Sequence, residues 1–218
     1  MARHIRVLLA DDHFAIRQGI AALLQAESDF NIVAEAGDGL EAIDLIDQHK
    51  PDVLITDLSM PNLNGLDMLR HIHRRNRHLR IIVLSMHTNE EFVAQAFQLG
   101  VKGYVLKNAS RGELVQAVRE AMNGRFYLSR DFKDKDVSYF LEYNLGGGSP
   151  HEHLTKRERE VLQLVAEGRT NVEISQILGI ASRTVETHRA NVMRKLEFQS
   201  TTDLIRYAIR QGILPLED

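Results

Sequence analysis

Along the first part of the chain, short apolar runs alternate with stretches whose apolar positions recur at helical spacing. The runs are Ile5–Ala10, Asn31–Ala36, Asp52–Thr56, Arg80–Ser85 and Gly103–Lys107, beginning at intervals of 21–28 residues. Between them, Ile16, Ile20, Leu23 and Leu24, and later Leu114, Val115, Val118 and Met122, mark the apolar face of a helix. Segments such as VLLA, VLIT and IIVLS show no polar alternation, so both faces of each strand are expected to be buried, as in a parallel sheet covered by helices. Repeated strand and helix over residues 1–125 predict a doubly wound α/β domain.

The periodicity then dissolves. Residues 126–151 read as a flexible linker ending in Gly146-Gly147-Gly148-Ser149-Pro150, although Tyr139, Phe140 and Tyr143 leave a short packed helix open. Residues 152–218 read as all helical, with helices at Lys156–Glu167, Asn171–Leu178, Ser182–Leu196 and Ser200–Gln211. Thr155 and Glu158 have the spacing of a capping box, and Gly168, Gly179 and Gly212 supply stops. The tight turn at Gly179-Ile180 between two helices predicts a helix-turn-helix.

Composition narrows the function. With 44% apolar and 26% charged residues and only 4 prolines, the chain is globular. The absence of cysteine removes disulfides, thiolate nucleophiles and thiolate metal sites. The apolar stretch in MARHIRVLLADD is too short for a secretory segment, and no window approaches 18 apolar residues, so a cytoplasmic protein without membrane association is expected. A net charge of −3 argues against nucleic-acid binding on average, but residues 182–196 carry Arg183, Arg189, Arg194 and Lys195 against Glu186 alone. Any anion-binding face is therefore local.

In an open α/β sheet, ligands bind beyond the carboxyl ends of the strands where strand order reverses. Those ends carry Asp11 and Asp12 after the first strand, Asp57 after the third, Ser85 on the fourth and Lys107 on the fifth. In a flavodoxin-like order 2-1-3-4-5, the first and third strands are neighbours and the three carboxylates meet. A hard cation such as Mg²⁺ relieves their repulsion, Lys107 balances further negative charge, and the Ser85 hydroxyl can hydrogen-bond an oxyanion. Singly, each residue has a plain alternative: a helix cap for Asp11-Asp12, a loop carboxylate for Asp57, a solvated strand end for Lys107.

LLADDH, TDLSMPNLNG, VLS at 83–85 and GYVLK at 103–107 together resemble the receiver domain of two-component response regulators, over about residues 4–124. The resemblance implies that Asp57 is the phosphoacceptor and that Asp11, Asp12, Asp57 and the backbone carbonyl of Ser59 form the Mg²⁺ site. It further implies that Lys107 pairs with the phosphoryl oxygens, that Ser85 moves toward them, and that Tyr104 is the switch aromatic that turns inward. Asn108 stands where many receivers have proline, which leaves open whether the Lys107-Asn108 bond is cis.

In the third C-terminal helix, Val185, Val192 and Leu196 form an inner face and Arg183, Thr187, Ala190 and Arg194 an outer stripe suited to a major groove. The segment LTKREREVLQLVAEGRTNVEISQILGIASRTVETHRANVMRKL resembles the LuxR-type helix-turn-helix, which with the receiver is similar to the FixJ/NarL response regulators. The expected DNA-binding residues are Arg183, Thr184, Glu186, Thr187, Ala190, Asn191, Arg194 and Lys195; the resemblance implies dimerisation through Leu204, Ile205 and Ala208. Val172 replaces a usual basic residue and Ala181 a usual capping hydroxyl. The expected protein is a transcription regulator rather than an enzyme. Its partners would be a sensor histidine kinase, double-stranded DNA and a second copy after phosphorylation. A Mg²⁺-dependent phosphatase with an aspartate nucleophile and a protein-interaction module are the alternatives. His71, His73, His78 and the His151-Glu-His153 cluster read as solvated surface, with metal binding the lesser reading.

Overall fold

The computed structural model describes residues 4–73, 76, 78–132, 134–143, 153–211 and 213–214. Six strands form one parallel sheet: β1 (Ile5–Ala10), β2 (Phe30–Ala36), β3 (Val53–Thr56), β4 (Arg80–Ser85), β5 (Gly103–Leu106) and β6 (Tyr127–Leu128). Their order is β2-β1-β3-β4-β5-β6, the expected order with one strand added. The lack of polar alternation is explained by two separate apolar layers. Leu8, Leu54, Val83 and Tyr104 face one, with α2 (Gly39–His49), α3 (Gly65–Ile72) and α4 (Glu90–Gln98) over them. Val7, Ile55, Ile82 and Val105 face the other, under α1 (Phe14–Gln25) and α5 (Arg111–Met122).

Short polar side chains fix where these helices begin. Asp38 accepts from the Leu40 and Glu41 amides to start α2, and Asn64 accepts from Asp67 N to start α3. The latter start lies directly on the end of β3: Gly65 N donates to Leu58 O (2.8 Å). A methyl group on Gly65 would come to 2.2 Å from the Asp57 carbonyl oxygen and 2.8 Å from Leu58 Cα. Glycine here is a requirement of close backbone approach.

Between residues 127 and 143 the flexible-linker reading gives way to its alternative, a short packed helix. Beyond β6, α6 (Val137–Glu142) packs on α4, with Phe140 fully buried. Phe132 meets the Tyr104 and Phe140 rings edge-on at 6.0 and 5.9 Å. Tyr139 Oη donates to Glu90 (2.7 Å), and Gln98 Nε2 donates to Tyr143 O (3.1 Å). The polar and charged residues of this stretch mask aromatics at irregular spacing, yet each buried ring contributes about 1.5–3 kcal/mol. The glycine run at 146–148 lies outside the described residues.

The C-terminal unit comprises α7 (Lys156–Ala166), α8 (Asn171–Leu178), α9 (Ser182–Lys195) and α10 (Thr201–Arg210) around its own core. Capping boxes start α7, α8 and α10, while Gly179 ends α8 at φ +63°. Ala181 stands at the N-cap of α9, which has no side-chain cap. Helix α7 docks against the loop after Asp57. Gln163, fully buried, accepts from Asn64 N (2.8 Å) and Asn64 Nδ2 (3.0 Å) and donates to Met60 O (2.8 Å). Glu167 accepts from Asn62 N (3.0 Å), and Arg159 pairs with Asp67 (2.7 Å).

Substituting Gly65→Ala is expected to destabilise the receiver by about 2–3 kcal/mol through overpacking. A lower urea midpoint than wild type checks this; an unchanged midpoint would show that the loop after β3 can withdraw from α3 at no cost.

Candidate functional site

The strand order brings Asp11, Asp57 and Lys107 to one edge. Lys107, following β5, reaches over β4 to Asp11 Oδ2 (2.6 Å) and Asp57 Oδ2 (2.8 Å). Both carboxylates are almost wholly buried, at 3% and 5% residue exposure. Asp57 Oδ1 accepts from Leu58 N (2.6 Å). Burial pushes the Asp57 carboxyl above the usual carboxylate range, with Lys107 opposing the shift and Asp11 adding to it. Burial alone would lower the Lys107 ammonium, but the Asp57 charge and the hydrogen bonds to Asp11 and Asp57 outweigh it and raise it.

Asp12 stands beside Asp11 at the rim. His13 Nδ1 lies 2.7 Å from Asp12 Oδ1 and 3.3 Å from Asp11 Oδ1, and the ligand atoms of these three residues fall within 4.8 Å of one another. Helix α1 takes His13 as its N-cap residue without a side-chain cap, and Asp11 Oδ1 accepts from His13 N (2.8 Å). Asp11 Oδ2 is buried against the Lys107 ammonium. Clustered hard oxygens of Asp11 and Asp12 suit an oxygen-preferring cation.

Ser85 ends β4 as expected, and its hydroxyl accepts from His87 N (3.3 Å). Tyr104 is already fully buried, donating to His87 O (2.9 Å); burial raises its phenol far above the usual range. Tyr104 thus occupies the inward placement. The Lys107-Asn108 bond is trans, since no cis peptide occurs among the described residues. His87 is the site residue that sequence reasoning missed. Its Nε2 lies 2.8 Å from Ser59 Oγ, its ring packs on Phe92 at 4.8 Å, and burial lowers its pKa, favouring the neutral imidazole. The signal available was a histidine two residues past Ser85.

In the C-terminal unit, Val185 and Val192 are fully buried and point α9 outward on its other side. Arg183, Thr184, Glu186, Thr187, Ala190 and Arg194 are exposed, and Asn191 and Lys195 are half-buried. Lys195 is committed elsewhere: its Nζ pairs with Glu158 at 2.6 Å and donates to His153 O at 3.2 Å. The dimerisation expectation is corrected for Leu204 and Ala208, which are fully buried in the domain core. With Tyr207 they form the inner face of α10, at helical spacing, and only Ile205 of the three is partly open to a partner. Val172 is exposed.

Comparison with known proteins agrees with this geometry. Residues 7–119 match the response regulator receiver domain, and residues 152–208 match the luxR family of bacterial regulatory proteins. The chain is 38% identical over 210 residues to the transcriptional regulatory protein LiaR of Bacillus subtilis (strain 168), covering 96% of this chain and 99% of that one. It is 35% identical over 215 residues to the oxygen regulatory protein NreC of Staphylococcus haemolyticus (strain JCSC1435), with the same coverage of 96% and 99%. Among solved structures, RcsB of Salmonella enterica serovar Typhimurium, bound to a promoter with the phosphomimetic BeF3-, superposes with a TM-score of 0.59 at 31% identity, covering 94% of this chain and 98% of that one. Receiver pocket, helix-turn-helix and full-length likeness together place the chain in the FixJ/NarL family of two-component response regulators, which joins a receiver to a LuxR-type DNA-binding domain.

Proposed function

We propose that the chain is a cytoplasmic transcription regulator switched by transfer of a phosphoryl group from a sensor histidine kinase to Asp57, with Mg²⁺ held by Asp11, Asp12, Asp57 and the Ser59 carbonyl. The observation that carries this reading is the single ammonium of Lys107 held between Asp11 and Asp57. It is joined by the absence, among the described residues, of any helix long and apolar enough to cross a membrane.

The chemistry follows from charge. A carboxylate and a phosphoryl donor repel, so attack by Asp57 requires positive charge at the transferred oxygens. Lys107 supplies one such charge at 2.8 Å from the nucleophile. Mg²⁺, when bound, supplies further neutralisation of phosphoryl oxygens. The Asp57 Oδ1 hydrogen bond to Leu58 N orients the carboxyl. Burial of Asp57 excludes water around the acceptor oxygen.

The new group adds close to two negative charges and three acceptor oxygens. Ser85 and the 86–87 backbone respond, because the Ser85 hydroxyl now binding His87 N can turn to the phosphoryl oxygens. His87 N then loses its acceptor, and the carbonyl of the same residue holds Tyr104. The DNA-binding half uses the exposed stripe of α9, with Thr187 and Glu186 at base edges and Arg183 and Arg194 at phosphates. Two copies pair on the DNA in the phosphorylated state, through a surface other than Leu204 and Ala208.

Incubation with acetyl phosphate and Mg²⁺ is expected to add one phosphoryl mass to the intact chain and none to Asp57→Asn. An adduct that survives that substitution would contradict the assignment. Thr187→Ala and Arg194→Ala are each expected to weaken binding to DNA by about 1–3 kcal/mol while preserving the far-UV circular dichroism; undiminished affinity in both would remove α9 from the interface.

A further inference from the structure

Helix α7 runs antiparallel to α3, with Gln163 at Asn64, Arg159 at Asp67 and Lys156 at His71. This register sets the first turn of α7 against the last turn of α3. Positive charge collects there. Asp67 is shared by Arg70 (3.1 Å) and Arg159 (2.7 Å), and Glu160 by Arg157 (2.8 Å) and Lys156 (3.7 Å), so among the described residues these two carboxylates meet four cations. Lys156 Nζ also lies 2.6 Å from His71 Nδ1. An open cleft of about 310 Å³ is lined by Asp67, Arg70, His71, Lys156, Arg159 and Glu160 together with Leu63. The chain continues from Arg70 as RHIHRRNRHLR, five arginines and three histidines without one acid, in a protein of net charge −3.

The receiver chemistry makes no use of this charge. Asn64 and Gly65, at the start of α3, border Asp57, whereas the basic stretch follows the other end of the helix and leads into the amino end of β4. The first turn of α7 also contacts the DNA-reading element. Lys195, the last residue of α9, pairs with Glu158 in the first turn of α7, and the neighbouring Arg194 is exposed. With the domains docked in this way, the outer stripe of α9 remains open to solvent.

We propose that the receiver itself contributes to DNA binding: Arg70 of α3, with Lys156 and Arg157 of α7, forms a cationic track for the phosphodiester backbone outside the footprint of α9, beside the His71 ring that accepts from Lys156. The proposal rests on the reading of α9 as a DNA-binding helix. Backbone phosphates are the fitting occupant because the cluster has more cations than carboxylates among the described residues and sits on the helix that α9 contacts.

Salt dependence of binding counts phosphate contacts. The full chain and its variants are titrated against a long mixed-sequence duplex by fluorescence anisotropy at about 50–200 mM salt, where log K falls with log salt by about 0.9 per phosphate contact. Arg70→Gln is expected to flatten the slope by about 0.9, and Lys156→Gln with Arg157→Gln by up to about 1.8. Arg70→Lys and the remote Arg125→Gln should keep the wild-type slope. Should Arg70→Gln fail to fold, because Arg70 also bonds Gln95 (2.9 Å), His71→Glu tests the same cleft and should also flatten the slope. Folded variants with the wild-type slope would overturn the track while leaving α9 as the interface. A wild-type chain that binds no duplex at any salt would instead overturn the DNA-binding reading beneath it.

Discussion

One ammonium between two buried carboxylates organises this molecule. Asp11 and Asp57 project from adjacent strands, and at about 4 Å in an environment of intermediate dielectric two like charges repel by about 4 kcal/mol. Lys107 turns that repulsion into a bridge, at 2.6 and 2.8 Å. The bridge depends on topology: β1 must lie beside β3, and the lysine must follow β5 so that its long side chain spans β4 and passes Ser85. A carboxylate held in this way is buried, ionised only with help, and already paired with the charge that a transferred anion would need.

Two packed routes lead away from the pocket. The first goes through the β4 end: Ser85 binds His87 N, the His87 carbonyl holds Tyr104, and the Tyr104 ring meets Phe132 and, beyond it, Phe140 of the segment wrapped on α4. The second goes through the loop after Asp57, whose Met60, Asn62 and Asn64 backbone groups bond to Gln163 and Glu167 of α7. Burial pushes the Glu167 carboxyl up, and its bonds to Gln163 and Asn62 oppose the shift; its second oxygen is buried without a hydrogen bond. A change at Asp57 therefore meets the DNA-binding unit through contacts that already exist. Reciprocity of linked equilibria means that binding at α9 acts back on the acceptor loop to the extent that docking differs between states.

Much of this was legible in the chain. Unalternated apolar runs gave the parallel sheet, and the acids, serine and lysine at four strand ends gave the pocket, because strand ends and switch points are local properties of sequence. The capping box at Thr155 and the glycine stop at Gly179 likewise marked helix limits closely. What stayed hidden depends on tertiary contact. Phe132 and Phe140 find partners on α4 and β5 that no periodicity announces, so the aromatics left a packed helix open without deciding it against a tether. Leu204 and Ala208 face inward because α10 closes the small core, a direction that spacing alone leaves ambiguous between core and partner. Gln163, an ordinary polar residue in a helical stretch, becomes a buried four-way connector only when α7 meets the receiver loop.

The central claim is that Asp11 and Asp57 belong to one electrostatic site rather than two neighbouring ones. A double-mutant cycle on Mg²⁺ affinity tests it most directly, with calorimetric titration of the intact chain, Asp11→Asn, Asp57→Asn and the double variant. One site requires that the two losses fail to add, with an interaction energy of at least about 0.5 kcal/mol. Strictly additive losses, or Mg²⁺ affinity untouched by Asp11→Asn, would contradict it.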